Sequence, residues 1–283
     1  MKISGTTKLI GILGRPVAHS LSPKMQNAAF EAMGLDICYV PLEVAPEDLE
    51  NALRGLSAMN FLGANVTIPH KVPTAKMLSR LEGAALITGA VNTIVNHNSS
   101  LVGHNTDGAG FIRSLNEVAD IDFQTSAALL FGAGGAARSL AVALAESGIA
   151  RLALANRTLE NALAIERLLK QHFPELTTSV LPPGEVNEEL YASSKIVINA
   201  TSIGLEGDLK MPFVAVDRLT KDHVVCDIVY TQSQETPFLS AARGKGATTL
   251  GGLGMLLHQG AAAIQLWTGI EPPTEVMRGA IES

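Results

Sequence analysis

The chain has 283 residues, of which 47% are hydrophobic and 17% charged, and its formal net charge is −6. This length suits two domains that each bury a core, and the composition excludes an intrinsically disordered protein. A net negative charge without any run of like charges argues against a nucleic-acid-binding surface.

The two cysteines are typical of a protein in a reducing compartment. Cys38 and Cys226 lie in apolar, strand-like segments, which predicts buried free thiols and argues against a disulfide framework or a metal site. The apolar run at residues 9–13 is too short for a signal peptide or a membrane span. We therefore expect a cytoplasmic protein that binds neither a metal ion nor a membrane.

In chain order, the first predicted strands cover residues 8–14 and 37–44 and flank a helix. Pro23 suits the first helical position, which predicts that Ser22 is the helix N-cap. Ser20 and Ser22 lie two apart in a segment expected to be extended, so both hydroxyls can point the same way beside a helix N-terminus. Such a place suits a carboxylate. On these residues alone, a cap at Ser22 and a solvated Ser20 remain the alternative.

Polar residues then gather at the ends of predicted strands. One strand leaves Asn65 and Thr67 on one face near its carboxyl end, and a helical turn then presents Lys71. Asn92 lies in the next predicted strand, and Asp107 follows the returning strand of a hairpin. Ligands bind at the carboxyl ends of strands in an open parallel sheet. The alternatives are solvated side chains and, for Asp107, a helix cap.

The second half of the chain is organised around a glycine loop. Residues 127–131 predict a buried parallel strand that stops at Gly132, and an Ala-rich helix follows. Gly132-x-Gly134-x-x-Ala137 fits the dinucleotide fingerprint, which permits Ala in the last place. Gly132 makes the tight turn, Gly134 admits a pyrophosphate, and Ala137 lets the helix pack closely on the strand. The helix N-terminus offers N–H groups to the phosphates.

The next predicted strand, residues 151–155, ends where an acidic residue would hold the ribose 2′-hydroxyl of NAD. This chain has Asn156, Arg157 and Thr158 there. A guanidinium at this place suits a 2′-phosphate by its charge and by its planar geometry, which favours NADP over NAD. A solvated Arg157 at the end of a strand is the alternative.

Later strands complete the six that a doubly wound dinucleotide-binding sheet requires. They are predicted near residue 178 and at residues 195–200, 224–230 and 247–250. Thr201, Ser202 and Tyr230 fall just past strand ends, on the side where ligands bind. The long helix predicted over residues 255–268 carries Gln259 on an otherwise apolar surface.

Eight of these strings, in this order, resemble the shikimate dehydrogenase family from about residue 10 to residue 268. They are His19-Ser-Leu-Ser-Pro23, Asn65-Val-Thr-Ile-Pro-His-Lys71, Gly89-Ala-Val-Asn92-Thr93, Asn105-Thr-Asp107-Gly108, Gly132-Ala-Gly-Gly-Ala136, Asn156-Arg-Thr158, Asn199-Ala-Thr-Ser202 and Gly254-Met-Leu-Leu-His-Gln259. A single string would be weak, but eight in sequence are highly specific. The resemblance implies reversible, NADP-dependent reduction of 3-dehydroshikimate to shikimate, in aromatic amino-acid synthesis.

The resemblance also implies roles for residues in this chain. Lys71 and Asp107 would be the catalytic pair, and Ser20 and Ser22 would hold the substrate carboxylate. A carboxylate beside Lys71 favours the ammonium form, which suits an acid in ketone reduction better than a base in alcohol oxidation. The full set of expected substrate contacts is Ser20, Ser22, Asn65, Thr67, Asn92, Asp107, Tyr230 and Gln259.

The implied fold is α/β, with an N-terminal α/β substrate domain around a mostly parallel sheet and a doubly wound (Rossmann) dinucleotide-binding domain. The substrate and catalytic domain would comprise residues 1–106 joined by the C-terminal helices at 254–283, and the NADP-binding domain residues 107–253. The expected cofactor contacts are Gly132, Ala133, Gly134, Gly135, Ala136, Asn156, Arg157, Thr158, Thr201, Ser202, Ile228 and Gly252. Families of this kind often carry a second Arg where this chain has Asn161, so we expect NADP to be preferred without strict selectivity.

Three other functions stay open. A quinate/shikimate dehydrogenase with a broader substrate range and NAD use shares most of these strings, and an aminoshikimate-type enzyme is a further variant. A catalytically inactive nucleotide-sensing module belongs to a different class, and intact Lys71 and Asp107 argue against it. The expected partner is a small-molecule substrate. The sequence is compatible with a homodimer but does not set the oligomeric state.

Overall fold

The computed structural model describes residues 3–203, 214–230 and 235–283. It divides into two compact units, which we call unit 1 (Met1–Gly110 and Leu256–Ser283) and unit 2 (Phe111–Met255). Each unit contains a six-stranded sheet with helices, so the predicted α/β class is confirmed. Within the described ranges, no helix is long and apolar enough to cross a membrane.

The strands match those predicted from the sequence with two exceptions. The short strand at Arg80–Leu81 was not predicted, and the strand that begins at Val224 ends at Asp227 and not at residue 230. The strands are β1 (Lys8–Gly14), β2 (Ile37–Glu43), β3 (Gly63–Val66), β4 (Arg80–Leu81), β5 (Thr93–His97), β6 (Ser100–His104), β7 (Ala127–Phe131), β8 (Arg151–Ala155), β9 (Thr177–Leu181), β10 (Ile196–Asn199), β11 (Val224–Asp227) and β12 (Thr248–Gly251).

The helices alternate with these strands along the chain. They are α1 (Ser22–Ala32), α2 (Leu49–Ala58), α3 (Lys71–Met77), α4 (Ala84–Thr88), α5 (Asp107–Val118), α6 (Gly135–Glu146), α7 (Leu159–His172), α8 (Glu188–Ser193), α9 (Pro237–Gly244), α10 (Gly252–Thr268) and α11 (Thr274–Glu282). The α2 helix shows why they form: Leu49, Leu53 and Leu56 recur at helical spacing and are buried in the core of unit 1.

The sheet of unit 1 has the order β2-β1-β3-β5-β6-β4. Parallel pairs join β1 to β2, β1 to β3 and β4 to β6, whereas β5 is antiparallel to both β3 and β6. In this register Asn65 of β3 pairs with Thr93 of β5, which pairs in turn with His104 of β6. The start of β5 therefore lies beside the ends of β3 and β6, and this edge of the sheet collects Asn65, Asn92 and Asp107.

The prediction that Ser22 caps α1 is wrong. The helix begins at Ser22, its N-cap is Leu21 with helical backbone angles (φ −81°, ψ −11°), and no side chain caps it. The segment before it is not extended, because the Ser20 N–H donates to the Val17 carbonyl in a turn (3.0 Å). Proline is tolerated throughout the first helical turn, where its missing N–H costs nothing, so Pro23 allowed a start one residue earlier.

The sheet of unit 2 has the order β12-β11-β10-β7-β8-β9, and all its neighbours are parallel. The first strand of unit 2, β7, therefore lies at the centre of the sheet, and later strands are added outward on both sides of it. This is the doubly wound dinucleotide-binding topology that the sequence predicts. All five residues of β7 are buried. Ala137 in α6 is fully buried (0% exposed), as expected for a small residue between helix and sheet.

Cys38 and Cys226 are buried and free, as predicted. Burial, with a smaller effect from the neighbouring Asp227 charge, raises the pKa of the Cys226 thiol. A thiol that stays protonated is a poor nucleophile. Cys226 therefore packs as a small apolar side chain.

Candidate active site

Lys71 and Asp107 form a close ion pair in unit 1. Lys71 is the first residue of α3 and Asp107 the first of α5, so each follows the end of a strand region at the same sheet edge. Lys71 Nζ lies 2.6 Å from Asp107 Oδ2, and the two side chains are only 14% and 4% exposed. Within the described residues, the ammonium has no other hydrogen-bond partner. Two of its three N–H groups are therefore available to a ligand.

Asn92 lies at the centre of the polar network around this pair. Its Nδ2 donates to Asp107 Oδ1 (2.8 Å) and to Gln259 Oε1 (3.2 Å). Its Oδ1 accepts from the Thr106 backbone N–H (2.8 Å), and the Thr106 hydroxyl donates to the Gln259 carbonyl (3.0 Å). Asn92 is 2% exposed. One buried amide thus fixes the second oxygen of Asp107 and joins α10 to the ion pair of Lys71 and Asp107.

Asn65 is oriented by a tyrosine that the sequence analysis did not single out. The Tyr39 hydroxyl donates to Asn65 Oδ1 (2.7 Å). Asn65 Nδ2 donates to the Asn92 carbonyl (3.0 Å) and to Thr93 Oγ1 (3.1 Å). Both amide hydrogens of Asn65 are therefore used, and its remaining capacity is a lone pair on Oδ1. The available signal was Tyr39 itself, since a buried tyrosine hydroxyl usually finds a partner.

Two glycines allow Gln259 to approach the network. A Cβ at Gly110 would lie 2.6 Å from the Gln259 backbone N, and one at Gly260 would overlap Met25 Cε. Gln26 of α1 donates to the Gly260 carbonyl (3.3 Å). The helix α10 therefore packs tightly on both α1 and the first turn of α5, which brings Gln259 to Asn92.

The remaining substrate residues predicted in unit 1 lie outside this network. Ser20 Oγ accepts from the Ser22 N–H (3.3 Å), and Ser22 is 4% exposed. Within the described residues the Ser22 hydroxyl has no hydrogen-bond partner, and the Ser20 hydroxyl is used only as an acceptor. The hydroxyl hydrogens of Ser20 and Ser22 can therefore both be donated to an anion. Thr67 follows β3 and is half-buried. Tyr230 is half-buried too, but it belongs to unit 2.

The glycine loop of unit 2 has the shape that a phosphate requires. Gly132 adopts a φ of +112°, and a Cβ there would lie 2.6 Å from the Ala200 carbonyl oxygen. Gly134 is exposed, and a Cβ there would meet nothing within 4 Å. Because α6 begins at Gly135, its first N–H groups lie next to Ala133 and Gly134 and are unused by the helix. The loop therefore fits a dinucleotide pyrophosphate.

The end of β8 presents the residues predicted for cofactor choice. Asn156 Nδ2 donates to the Thr158 carbonyl (2.7 Å), which fixes the turn before α7. Arg157 is exposed, and Asn161 is exposed in the first turn of α7. No acidic residue stands at this strand end. A guanidinium there is accessible to a phosphate.

The carboxyl ends of β10 and β11 carry a buried polar pair, of which the sequence analysis named Asn199 in a motif and missed Asp227. Asn199 Nδ2 donates to Asp227 Oδ1 (2.9 Å), and the two residues are 0% and 3% exposed. Burial raises the pKa of the Asp227 carboxyl, and hydrogen bonds from Thr236, Val229 and Asn199 oppose this rise. The available signal was a polar residue as the last position of an otherwise apolar strand.

The other predicted cofactor residues lie near this pair in unit 2. Ser202 is exposed and Ile228 is half-buried. A Cβ at Gly252 would overlap the Ile228 carbonyl oxygen, so only glycine fits at the first position of α10. Thr201 Oγ1 donates to Asn199 Oδ1 (2.7 Å).

The structure thus combines a doubly wound dinucleotide-binding sheet in unit 2 with a buried lysine–carboxylate pair in unit 1. These features define an oxidoreductase that couples hydride transfer to proton transfer. Residues 12–94 match the family described as the shikimate dehydrogenase substrate binding domain, and residues 252–282 match the shikimate 5'-dehydrogenase C-terminal domain. The chain belongs to the shikimate dehydrogenase family, as its sequence motifs predict.

Individual relatives support this assignment along the whole chain. The shikimate dehydrogenase (NADP(+)) of Desulforamulus reducens is 42% identical over 99% of this chain and 96% of its own length. A crystal structure of a shikimate dehydrogenase in complex with NADP+ aligns with a TM-score of 0.90 and 39% identity, covering 99% and 96% of the two chains. The shikimate 5-dehydrogenase of Listeria monocytogenes, solved in complex with shikimate and NAD, aligns with a TM-score of 0.89 and 35% identity, covering 99% and 98%.

Proposed function

We propose that Lys71 and Asp107 are the catalytic pair with which this chain carries out the reaction of its family. The reaction is the reversible, NADP-dependent reduction of 3-dehydroshikimate to shikimate, a step of aromatic amino-acid synthesis. The observation that carries the proposal is the 2.6 Å contact between Lys71 Nζ and Asp107 Oδ2. The pair lies within a polar network that leaves two N–H groups of the ammonium available.

In ketone reduction, the Lys71 ammonium donates a proton to the oxygen that becomes the hydroxyl, and in alcohol oxidation the amine takes that proton back. Asp107 fixes the direction of Nζ, because its Oδ2 accepts a hydrogen bond from Nζ (2.6 Å). Asn92 prevents Asp107 from turning away, because it donates to the other carboxylate oxygen (2.8 Å). When bound, the nicotinamide cofactor supplies the hydride for the reduction.

Two groups of residues would hold the substrate. Ser20 and Ser22 can each donate a hydroxyl hydrogen to its carboxylate, next to the positive end of the α1 dipole. Asn92, Gln259 and Asp107 would contact its hydroxyls, and Thr67 and Tyr230 would lie near it. Asn65 can only accept from a substrate hydroxyl, because both hydrogens of its amide are already used.

NADP would be held by unit 2. The N–H groups at the start of α6 suit the pyrophosphate, and Arg157 suits the 2′-phosphate of the adenosine ribose. Thr201, Ser202, Ile228 and Gly252 follow or face the ends of β10 and β11, where the nicotinamide half of a dinucleotide lies in such sheets.

A matrix of substrates and cofactors tests the proposal. Initial rates are measured for shikimate and quinate, each with NADP+ and with NAD+, by the absorbance of the reduced nicotinamide. We expect shikimate with NADP+ to give the highest kcat/KM. Equal rates with quinate and NAD+ would instead indicate a quinate/shikimate dehydrogenase. Absence of turnover in all four combinations, with NADP binding intact, would indicate a nucleotide-sensing module.

Replacing either serine should weaken substrate binding. Ser20→Ala and Ser22→Ala each remove a donor to a charged group, worth about 1.5–3 kcal/mol, which corresponds to a rise of roughly 10- to 150-fold in the KM for shikimate. Because Ser22 does not cap α1, the melting temperature of the Ser22→Ala protein should stay close to that of the wild type. Ser57→Ala is the matched control, since the Ser57 hydroxyl donates to the Ser99 carbonyl away from the site. A KM in both variants equal to that of this control would show that the serines are structural.

Arg157 should determine the choice of cofactor. One arginine–phosphate pair at an exposed site is worth about 1.5–3 kcal/mol, so NADP should be preferred over NAD roughly 10- to 150-fold in kcat/KM, toward the lower end without a second arginine. Arg157→Ala should nearly abolish this preference and leave NAD turnover unchanged, while Asn161→Arg should widen it. Arg151→Ala, at the opposite end of β8, is the control. An unchanged cofactor ratio in Arg157→Ala would rule out Arg157 as the phosphate ligand.

We also propose the wider setting of the enzyme. Residues 1–106 with 254–283 form the substrate domain and residues 107–253 the NADP-binding domain, which the two compact units support. The free, buried thiols support a cytoplasmic location. A homodimer is also part of the proposal, and large apolar side chains such as Met59 and Leu86 are exposed on unit 1, at 65% and 64%. A monomeric mass by light scattering at micromolar concentration would contradict the dimer.

A further inference from the structure

The pair of Asn199 and Asp227 connects the two segments of unit 2 that carry the proposed contacts to the nicotinamide half of the cofactor. Asp227 Oδ1 accepts from Asn199 Nδ2 (2.9 Å) and from the Val229 N–H (3.1 Å). Asn199 Oδ1 accepts in turn from the Thr201 hydroxyl (2.7 Å) and the Thr201 N–H (3.2 Å). The starts of the loops after β10 and β11 are therefore fixed to the same carboxylate oxygen, at Thr201 through Asn199 and at Val229 directly.

We propose that Asp227, acting through Asn199, is a positioning residue that sets both loops for the dinucleotide and so controls cofactor affinity without touching the cofactor. The inference rests on the proposed function, because Thr201, Ser202 and Ile228 are cofactor residues only within it. None of the sequence motifs that indicate the family assigns this role to Asp227.

The chemistry of the pair supports positioning. Asp227 is 3% exposed. In the described part of the chain its carboxylate accepts three hydrogen bonds, the third from the Thr236 hydroxyl to Oδ2 (2.7 Å). A buried acceptor with several donors is costly to remove, because each donor is then left without a partner. A carboxylate on which several buried donors depend fits a residue whose role is to fix backbone N–H groups in position.

The two oxygens of Asp227 have different tasks, which allows a clean set of variants. Oδ1 holds the loops, whereas Oδ2 accepts from Thr236, the N-cap of α9, as its sole partner among the described residues. In Asp227→Asn the amide oxygen can take the Oδ1 position, and the amide NH₂ can donate to the Thr236 hydroxyl. This variant keeps the loop contacts. Asp227→Ala removes them.

The experiment measures the Kd for NADPH and for shikimate separately, by fluorescence and by calorimetry. Asp227→Ala should weaken NADPH binding about 10-fold or more, the effect of losing positioned bonds to a charged group, and Asp227→Asn should recover most of it. Shikimate affinity should stay within about twofold in both, because most of its proposed contacts lie in unit 1. Asn199→Ala should weaken NADPH binding too. The double variant of Asn199→Ala and Asp227→Ala should lose less binding free energy than the sum of the two single losses.

Thr236→Val is the matched control, since it removes a hydrogen bond to the same carboxylate and the cap of α9 but leaves the loop contacts. It should lower the melting temperature without changing the Kd for NADPH. The proposal is overturned if Asp227→Ala binds NADPH like the wild type, if Asp227→Asn is as impaired as Asp227→Ala, or if Thr236→Val reproduces the loss. Direct binding keeps this test separate from the proposed function, which fails on its own if the wild type binds NADPH but turns over no shikimate.

Discussion

Lys71→Met should lower kcat by about 10²–10⁴-fold, the contribution usual for a positioned acid or base. Methionine keeps the unbranched stem of the lysine and removes only the ammonium, so the packing at the start of α3 is preserved. In the proposed mechanism the ammonium donates its proton as the reaction proceeds, so most of the loss belongs to the transition state. The KM for shikimate should therefore move much less than kcat. Steady-state kinetics in both directions give the two parameters.

A second lysine on the same helix provides the control. Lys76 lies in the last turn of α3 and is exposed, so Lys76→Met should leave kcat and KM near the wild-type values. A Lys71→Met enzyme with near-normal kcat would eliminate Lys71 as the proton donor, even if its KM were raised.

The motifs and the register of unit 1 explain why much of the site is predictable. Alternating apolar runs and turn residues predict the strands, and the parallel topology brings their carboxyl ends to one edge. Asn65 and Asp107 could thus be expected to lie near each other from strand ends alone. The hairpin predicts that β5 runs antiparallel to β6, but the sequence does not show that β5 also pairs with β3. The two pairings together bring Asn92 between Asn65 and Asp107. Asn92 was a candidate because of its motif and not because of geometry.

The residues that were missed act through long-range contacts. Tyr39 reaches Asn65 from a strand two positions away in the sheet, and Asp227 reaches Asn199 across a strand pair. Periodicity and capping rules describe neighbours along the chain, so they carry no information about such pairs. Ser22 shows a different failure: the local rule that proline favours the first turn left the helix start uncertain by one residue.

Asp107→Asn should lower kcat by roughly 10²-fold, because it leaves the proton donor without its anion. The side chain is isosteric, yet neither orientation of the new amide suits the network. If the new NH₂ group faces Lys71, it meets the ammonium, which is also a donor. If it faces Asn92, it meets the Nδ2 amide group, which is a donor as well. The KM for shikimate should rise as well, since Asp107 is also proposed to contact a substrate hydroxyl. This joint change distinguishes Asp107→Asn from Lys71→Met, in which kcat changes far more than KM.

Steady-state kinetics with a matched charge variant supply the decisive comparison for Asp107. Asp120→Asn, at an exposed position after α5, makes the same change of net charge and should keep the wild-type kcat and KM. An Asp107→Asn enzyme with the wild-type kcat would mean that Lys71 acts without its carboxylate partner.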